Sequence, residues 1–223
     1  MRLYACRLTF HENLFYATRE VGRLYETGRY LHNYALTYAL GLAQTSYFHQ
    51  QQVPDYRGEL EPLNEQGIYV TPGRGVKVSY DLVTFKYADN AYRVKMTPGS
   101  RNTPSFGRAK EIAVGSIFEF GILSRQPVHL PRWVRLGLWQ SKALLEMVAE
   151  VELTSKTSVE QQASYPVNPL DTPGEFRIFD LISMPPSSLL ENPVLMSEWW
   201  HAHTNHGEWW LPANMRYTFP EAV

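Results

Sequence analysis

Apolar side chains recur at every second position in RLYACRLTF, with Tyr4, Cys6, Leu8 and Phe10 on one side and Leu3, Ala5, Arg7 and Thr9 on the other. That period predicts a half-buried strand. HEN reads as a turn, and from Thr27 the spacing lengthens. TGRYLHNYALTYALGLAQ places Leu31, Ala35, Tyr38 and Leu42 on one stripe with Asn33, Thr37 and Gln44 elsewhere, predicting a helix capped by Thr27. SYFHQQQVPDYRGELEPLNEQG is polar and interrupted by proline, as an exposed connection would be. VKVSYDLVTFKYA and AYRVKM are β-rich runs joined across Asp89 and Asn90, a hairpin signal. TPGSRNTPSFGRAK reads as a basic loop, GSIFEFGILS as a strand, and VRLGLWQSKALLEMVAEVEL as a segment that turns helical after its glycine. Residues 155–175 read as loop, and the remainder as an irregular tail with many prolines and two tryptophan pairs. This order predicts an α+β fold with an antiparallel sheet. It divides into a core of residues 1–154 with a hairpin insertion, and an acidic, aromatic-rich extension of residues 155–223 packed on it.

The chain has 223 residues, 44% hydrophobic and 19% charged, enough for one substantial core. A single cysteine, Cys6, excludes an internal disulfide and a structural zinc held by paired cysteines, and favours a reducing cytoplasmic setting. The first twenty residues present no apolar run like the centre of a signal peptide. The longest uncharged stretch, Leu31 to Pro54, is broken by Thr, Gly, Gln and His, so no membrane span is predicted.

Charge changes the picture because it is segregated. Residues 1–72 balance to −1, residues 73–142 to +8 and residues 143–223 to −8. A polyanion partner for the middle third is one reading. The other is that the acidic third folds against the basic third and cancels its field.

Several chemistries lack their residues. No Gly-x-x-x-x-Gly-Lys or Gly-x-Ser-x-Gly occurs, and Gly73 and Gly75 are too few to cradle a dinucleotide. Cys6 sits in an expected strand as a small buried hydrophobe rather than a nucleophile. In WWHAHTNHGEWW, His201, His203 and His206 could hold a metal, but their spacing aligns them on no single helical face, and an aromatic-anchored loop or hairpin is the stronger expectation. His11 and His32 could serve metal-independent RNA cleavage as general acid or base, yet neither has a recognisable partner.

The richest stretch is LPRWVRLGLWQSKALLEM, with Arg132, Trp133, Arg135, Trp139 and Lys142 close together. Cations neutralise phosphates, indole faces stack on unpaired bases and glycine lets backbone approach a ligand. The loop Thr97 to Lys110 repeats the recipe with Arg101, Phe106, Arg108 and Lys110, and Lys77, Lys86, Arg93 and Lys95 lie on or beside the expected hairpin. Together these twelve residues, with Trp133 left aside, form the candidate RNA-binding set. For each indole taken alone, ordinary core packing is the stronger expectation.

Three segments carry a resemblance: ATREVGRLYETGRYLHNYALTYALG, NTPSFGRAKEIAVGSIFEFGILS and PRWVRLGLWQSKA. They are similar to the CRISPR-associated RAMP subunit of the type I-D Cascade complex, the Csc-one branch of the Cas-five group, across roughly the first two thirds of the chain. The family pattern carries a lysine after Arg-Leu-Gly, where this chain has Leu138. The resemblance implies a ferredoxin-like, RNA-recognition-type core with a projecting β-hairpin thumb. It further implies a non-catalytic subunit, without cofactor or metal, that caps the 5′ handle of a guide RNA, joins the backbone RAMP subunits to the large subunit and meets target DNA indirectly. An endoribonuclease of the same superfamily is the alternative.

Overall fold

The computed structural model describes residues 1–43, 54–86, 106–205 and 207–220. In chain order the first elements are β1 (Arg2–Phe10), β2 (Arg19–Val21), β3 (Leu24–Glu26), β4 (Tyr30–Leu31), α1 (Asn33–Ala39), α2 (Tyr56–Leu60), α3 (Pro62–Gln66), β5 (Ile68–Val70) and β6 (Gly73–Lys77). They continue with β7 (Tyr80–Lys86), β8 (Phe106–Ile112), β9 (Ile117–Ser124), β10 (Trp133–Leu136) and β11 (Ser141–Glu152). β12 (Thr154–Gln162), β13 (Glu175–Ile182), β14 (Leu189–Thr204) and β15 (Gly207–Pro212) complete the chain. The expected α+β class holds, with more strand than the sequence pattern suggests. Among the described residues every strand ladder except β3 with β8 is antiparallel.

The main sheet runs β10–β11–β1–β9–β6–β4, with β5 also on β9. β1 lies at its centre, and it is buried on both faces rather than one. Tyr4, Cys6, Leu8 and Phe10 pack with Leu36, Phe118, Phe120 and Ile122. Leu3 and Ala5, on the other face, pack against Trp209, Leu211, Met215 and Tyr217 of the tail. Each fully buried leucine of this strand contributes about 2 kcal/mol of transfer free energy. The tail therefore supplies the second lid of the sheet.

The helix expected from Thr27 begins later. Tyr30 and Leu31 extend the sheet instead, pairing with Arg74 and Gly73. α1 is capped by His32, whose ring Nδ1 accepts the Tyr34 N–H at 3.2 Å. Its stripe is also different, because Ala35 is exposed while Asn33 and Thr37 are buried. The cause is polar. Asn33 Nδ2 donates to Asp171 at 2.8 Å, Tyr34 OH donates to the same carboxylate at 3.3 Å, and Thr37 Oγ1 meets Tyr217 OH at 2.6 Å. The tail thus satisfies polar groups that a periodicity reading sends to solvent. In the expected connection after α1, residues 44–53 lie outside the described set, while α2 and α3 form within the rest. Asp55 caps α2 by accepting the Gly58 N–H at 3.0 Å.

The stretch Ser141 to Glu152 was expected to be helical and is instead a twelve-residue strand. Leucine, alanine and glutamate favour helix intrinsically, but this segment pairs along all of β1, from Phe10 opposite Ala143 to Arg2 opposite Glu152. Tertiary pairing outweighs propensities of a few tenths of a kcal/mol per residue. The tail is also more regular than expected, forming a sheet β12–β14–β13 with β15 on β14. WWHAHTNHGEWW is the expected hairpin, with His201 opposite Trp210 and Thr204 opposite Gly207.

A third sheet runs β2–β3–β8–β7. The expected strand pair across Asp89 and Asn90 has its second arm outside the described residues. β7 pairs with β8, from Tyr80 opposite Ile112 to Lys86 opposite Phe106. Among the described residues no helix is long and apolar enough to cross a membrane.

Candidate nucleic-acid interface

The segment from His11 to Thr18 is a seam between two groups of cations. On one side the His11 N–H donates to Lys142 O at 2.9 Å and the Leu138 N–H donates to Phe15 O at 2.9 Å, tying the seam to the β10–β11 turn. On the other side Leu14 bridges Ile112 at the end of β8, and the Thr27 N–H that follows the seam donates to Lys110 O at 3.1 Å.

The first group sits on the edge of the main sheet. Alternation along β10 buries Val134 and Leu136 and exposes Trp133 and Arg135. Arg135 stands directly opposite Lys142 in the ladder. The Lys142 ammonium lies 4.1 Å from the Trp133 ring centroid, and the His11 ring meets the same indole edge-on at 5.1 Å. Arg135 donates to Gln140 O at 2.8 Å and has the Glu12 carboxylate at 3.9 Å. Arg132 is exposed beside them. Neither indole is core, which corrects the expectation for each: Trp133 is 40% and Trp139 53% exposed.

Gly137 makes this turn possible. Its φ is +75°, and a Cβ there would lie 2.6 Å from Leu14 Cδ1 and 2.7 Å from Phe15 O. Only glycine allows that approach, which places Trp139 in a stack on Phe15 with centroids 5.0 Å apart. One face of the indole is used by Phe15.

The second group lies on β8, which was expected to be loop. Residues 97–105 are outside the described set, but Phe106 to Lys110 are strand, so Phe106, Arg108 and Lys110 alternate onto one face. Lys110 reaches Glu26 at 3.8 Å and lies 4.3 Å from the Tyr80 ring centroid. Phe106 and Arg108 line an open cleft with Val21, Arg23, Leu24 and Thr84. Arg23 escaped the sequence reading. Its signal is the REVGRLYE alternation around Gly22, a short hairpin that carries Arg23 to the cleft.

Of the remaining candidates, Lys77 is exposed at the end of β6. Arg93, Lys95 and Arg101 lie outside the described residues, as does the side chain of Lys86. Arg74, counted in the basic third, is turned inward: it donates to Ser164 O at 2.9 Å and covers the Tyr165 ring at 4.3 Å.

Among the described residues the acidic third does not neutralise the basic third through direct ion pairs. The carboxylates after residue 142 pair with Arg2 and Arg29, through Glu150 at 3.2 Å and Glu191 at 3.0 Å, and with Arg177 and His201 within the tail. No described tail carboxylate pairs with a described cation of residues 73–142.

The histidines fall into separate settings. His32 is buried, its Nε2 is 3.0 Å from Ser187 Oγ, and burial pushes its pKa down to about 4. His201 and His203 lie on β14 with His201 against the Trp210 ring at 4.3 Å, and His206 is outside the described residues. Among the described residues no group of three His, Cys, Asp or Glu side chains is placed to hold a metal. Cys6 is buried, as expected of a small hydrophobe, and burial pushes its thiol up to about 12. In the tryptophan pairs, Trp199 and Trp209 close the core at 0% and 3% exposure.

A comparison with curated proteins finds no match. The family model described as type I-D CRISPR-associated protein Cas5/Csc1 matches residues 1–220, and therefore includes the tail that the resembling segments leave out. With both cation groups and the tail inside one match spanning nearly the whole chain, the chain belongs to the type I-D CRISPR-associated Cas5/Csc1 family.

Proposed function

We propose that this chain, a type I-D Cascade subunit by its family, holds the 5′ handle of the guide RNA without cleaving it and joins the backbone subunits to the large subunit. The observation that carries the RNA reading is the placement of Arg135 directly opposite Lys142 beside two exposed indoles. Like charges facing each other across a ladder cost up to about 1 kcal/mol. A phosphate between them reverses that sign. Phe106, Arg108, Lys110 and Arg23 across the seam and Lys77 at the end of β6 extend the same reading, and Lys86, Arg93, Lys95 and Arg101 are assigned to RNA from the sequence alone.

A ferredoxin-like core with a hairpin thumb is the fold reading we favour. It is supported by the all-antiparallel order β11–β1–β9–β6, with α1 as the crossover between β1 and β5. The second crossover, from β9 to β11, departs from that plan by containing β10 instead of a helix. The β7–β8 ladder supports the thumb. A core of residues 1–154 with an extension of 155–223 completes the reading.

A non-catalytic role is supported by His32, whose two ring nitrogens are engaged by Tyr34 and Ser187. Metal-free cleavage of repeat RNA, lost on His11→Ala or His32→Ala, would favour the endoribonuclease instead. Nuclease footprinting tests the main reading. In complexes assembled with the chain the 5′ handle is protected, and in complexes lacking it the handle is cleaved. Equal protection in both would overturn it.

A further inference from the structure

β13 is the outer strand of the tail sheet, hydrogen-bonded only to β14 among the described residues. It is anchored at its ends, where Phe176 packs with Leu195 and Trp199 and Ile182 packs with Tyr30 and Leu189. Between those anchors three large apolar side chains face solvent: Ile178 at 69%, Phe179 at 45% and Leu181 at 66% exposure. Soluble surfaces tolerate single exposed apolar residues, but three within four positions on an open sheet edge mark an interaction site.

The surrounding charges say what fits. Asp180 stands opposite Glu191, and Glu160 and Glu175 flank Met196 on either side of β14. Arg177 is the cation of this strand, and it is held by Glu175 at 3.0 Å. Glu191 is engaged by Arg29 and Glu160 lies beyond β14 on β12, while Asp180, which accepts a hydrogen bond from Asn192 at 3.3 Å, has no cationic partner among the described residues. Such an edge repels a nucleic-acid backbone and a second copy of itself, and attracts a strand carrying lysine or arginine. The register shifts on either side of Ile178 are the devices that keep an edge from pairing indiscriminately.

We propose that β13 docks an extended segment of another protein that alternates apolar with lysine or arginine side chains. The incoming strand pairs with the free backbone edge of β13, buries Ile178, Phe179 and Leu181, and places a cation against Asp180. This does not rest on the RNA reading.

The test is photocrosslinking with p-benzoylphenylalanine at position 178, in the complex assembled by coexpression with the other type I-D subunits and guide RNA. The expected product joins position 178 to an apolar, lysine- or arginine-bearing segment of another subunit. Its yield falls about tenfold when Asp180→Lys is added, with guide RNA content unchanged. Leu181→Lys, at a side chain already facing solvent, gives the same loss. No crosslink, or a crosslink to RNA, to a second copy or to a segment without cations, overturns the proposal. Loss of RNA from the unmodified complex would instead count against the RNA reading alone.

Discussion

Arg135 faces Lys142 across the β10–β11 ladder, and the nearest carboxylate to Arg135, Glu12 at 3.9 Å, comes from the seam rather than from the acidic tail. Two opposing effects act on Lys142. Repulsion by Arg135 costs up to about 1 kcal/mol, and the cation–π contact with Trp133 at 4.1 Å returns about 0.5–1 kcal/mol at an exposed site. Lys142→Met should therefore leave unfolding free energy within about 0.5 kcal/mol of wild type, while guide RNA binding weakens. Denaturant titration and RNA binding on the same samples check both. A clear gain in RNA affinity would contradict the assignment.

Gly137 and Trp139 separate fold from surface. Gly137→Ala must accept φ +75° and a clash with Leu14 and Phe15 O, costing about 2 kcal/mol in urea unfolding. Trp139→Ala removes an indole that is 53% exposed. It should cost only about 1 kcal/mol of stability, yet weaken RNA binding by about 1–3 kcal/mol if a base stacks there.

Two buried groups titrate with opposite sign. His32 is pushed down from 6.5 to about 4. Its stability contribution is complete above pH 6.5 and is lost as pH falls through 4, a swing of about 3 kcal/mol. Asp171 is pushed up from 3.8 to about 6 by burial, against hydrogen bonds from Thr218, Asn33, Tyr69 and Tyr34. Its contribution is complete below pH 3.8 and is lost as pH rises through 6, again about 3 kcal/mol. The two nearly cancel between pH 4 and 6 in the wild type. His32→Asn should leave stability falling as pH rises across that window, and Asp171→Asn should leave it rising. Melting temperatures at several pH values show whether the slopes have these signs.

How much of this was legible follows from where each signal resides. β1, β9 and the tryptophan hairpin were legible because their alternation is local. The helical reading of Ser141 to Glu152 failed because its strand is imposed by β1, more than a hundred residues away in sequence. The α1 stripe failed for a related reason, since Asn33 and Thr37 find Asp171 and Tyr217 only when the tail returns. The order RYLHNYALTYALG, obscure in sequence, is explained by those contacts together with the His32 cap. At the candidate site, Arg132, Arg135 and Lys142 were legible as a charge cluster, whereas Glu12 reaches Arg135 only through the folding of the seam and Arg23 reaches Arg108 only through the β2–β3 hairpin beside β8.

The most direct test of the central claim is the salt dependence of guide RNA binding by the Arg108→Ala, Lys110→Ala, Arg132→Ala, Arg135→Ala quadruple variant. Loss of four phosphate contacts to a single strand predicts weaker binding at every salt concentration and a log–log slope shallower by about 3. Unchanged affinity with an unchanged slope would contradict an RNA surface along the seam.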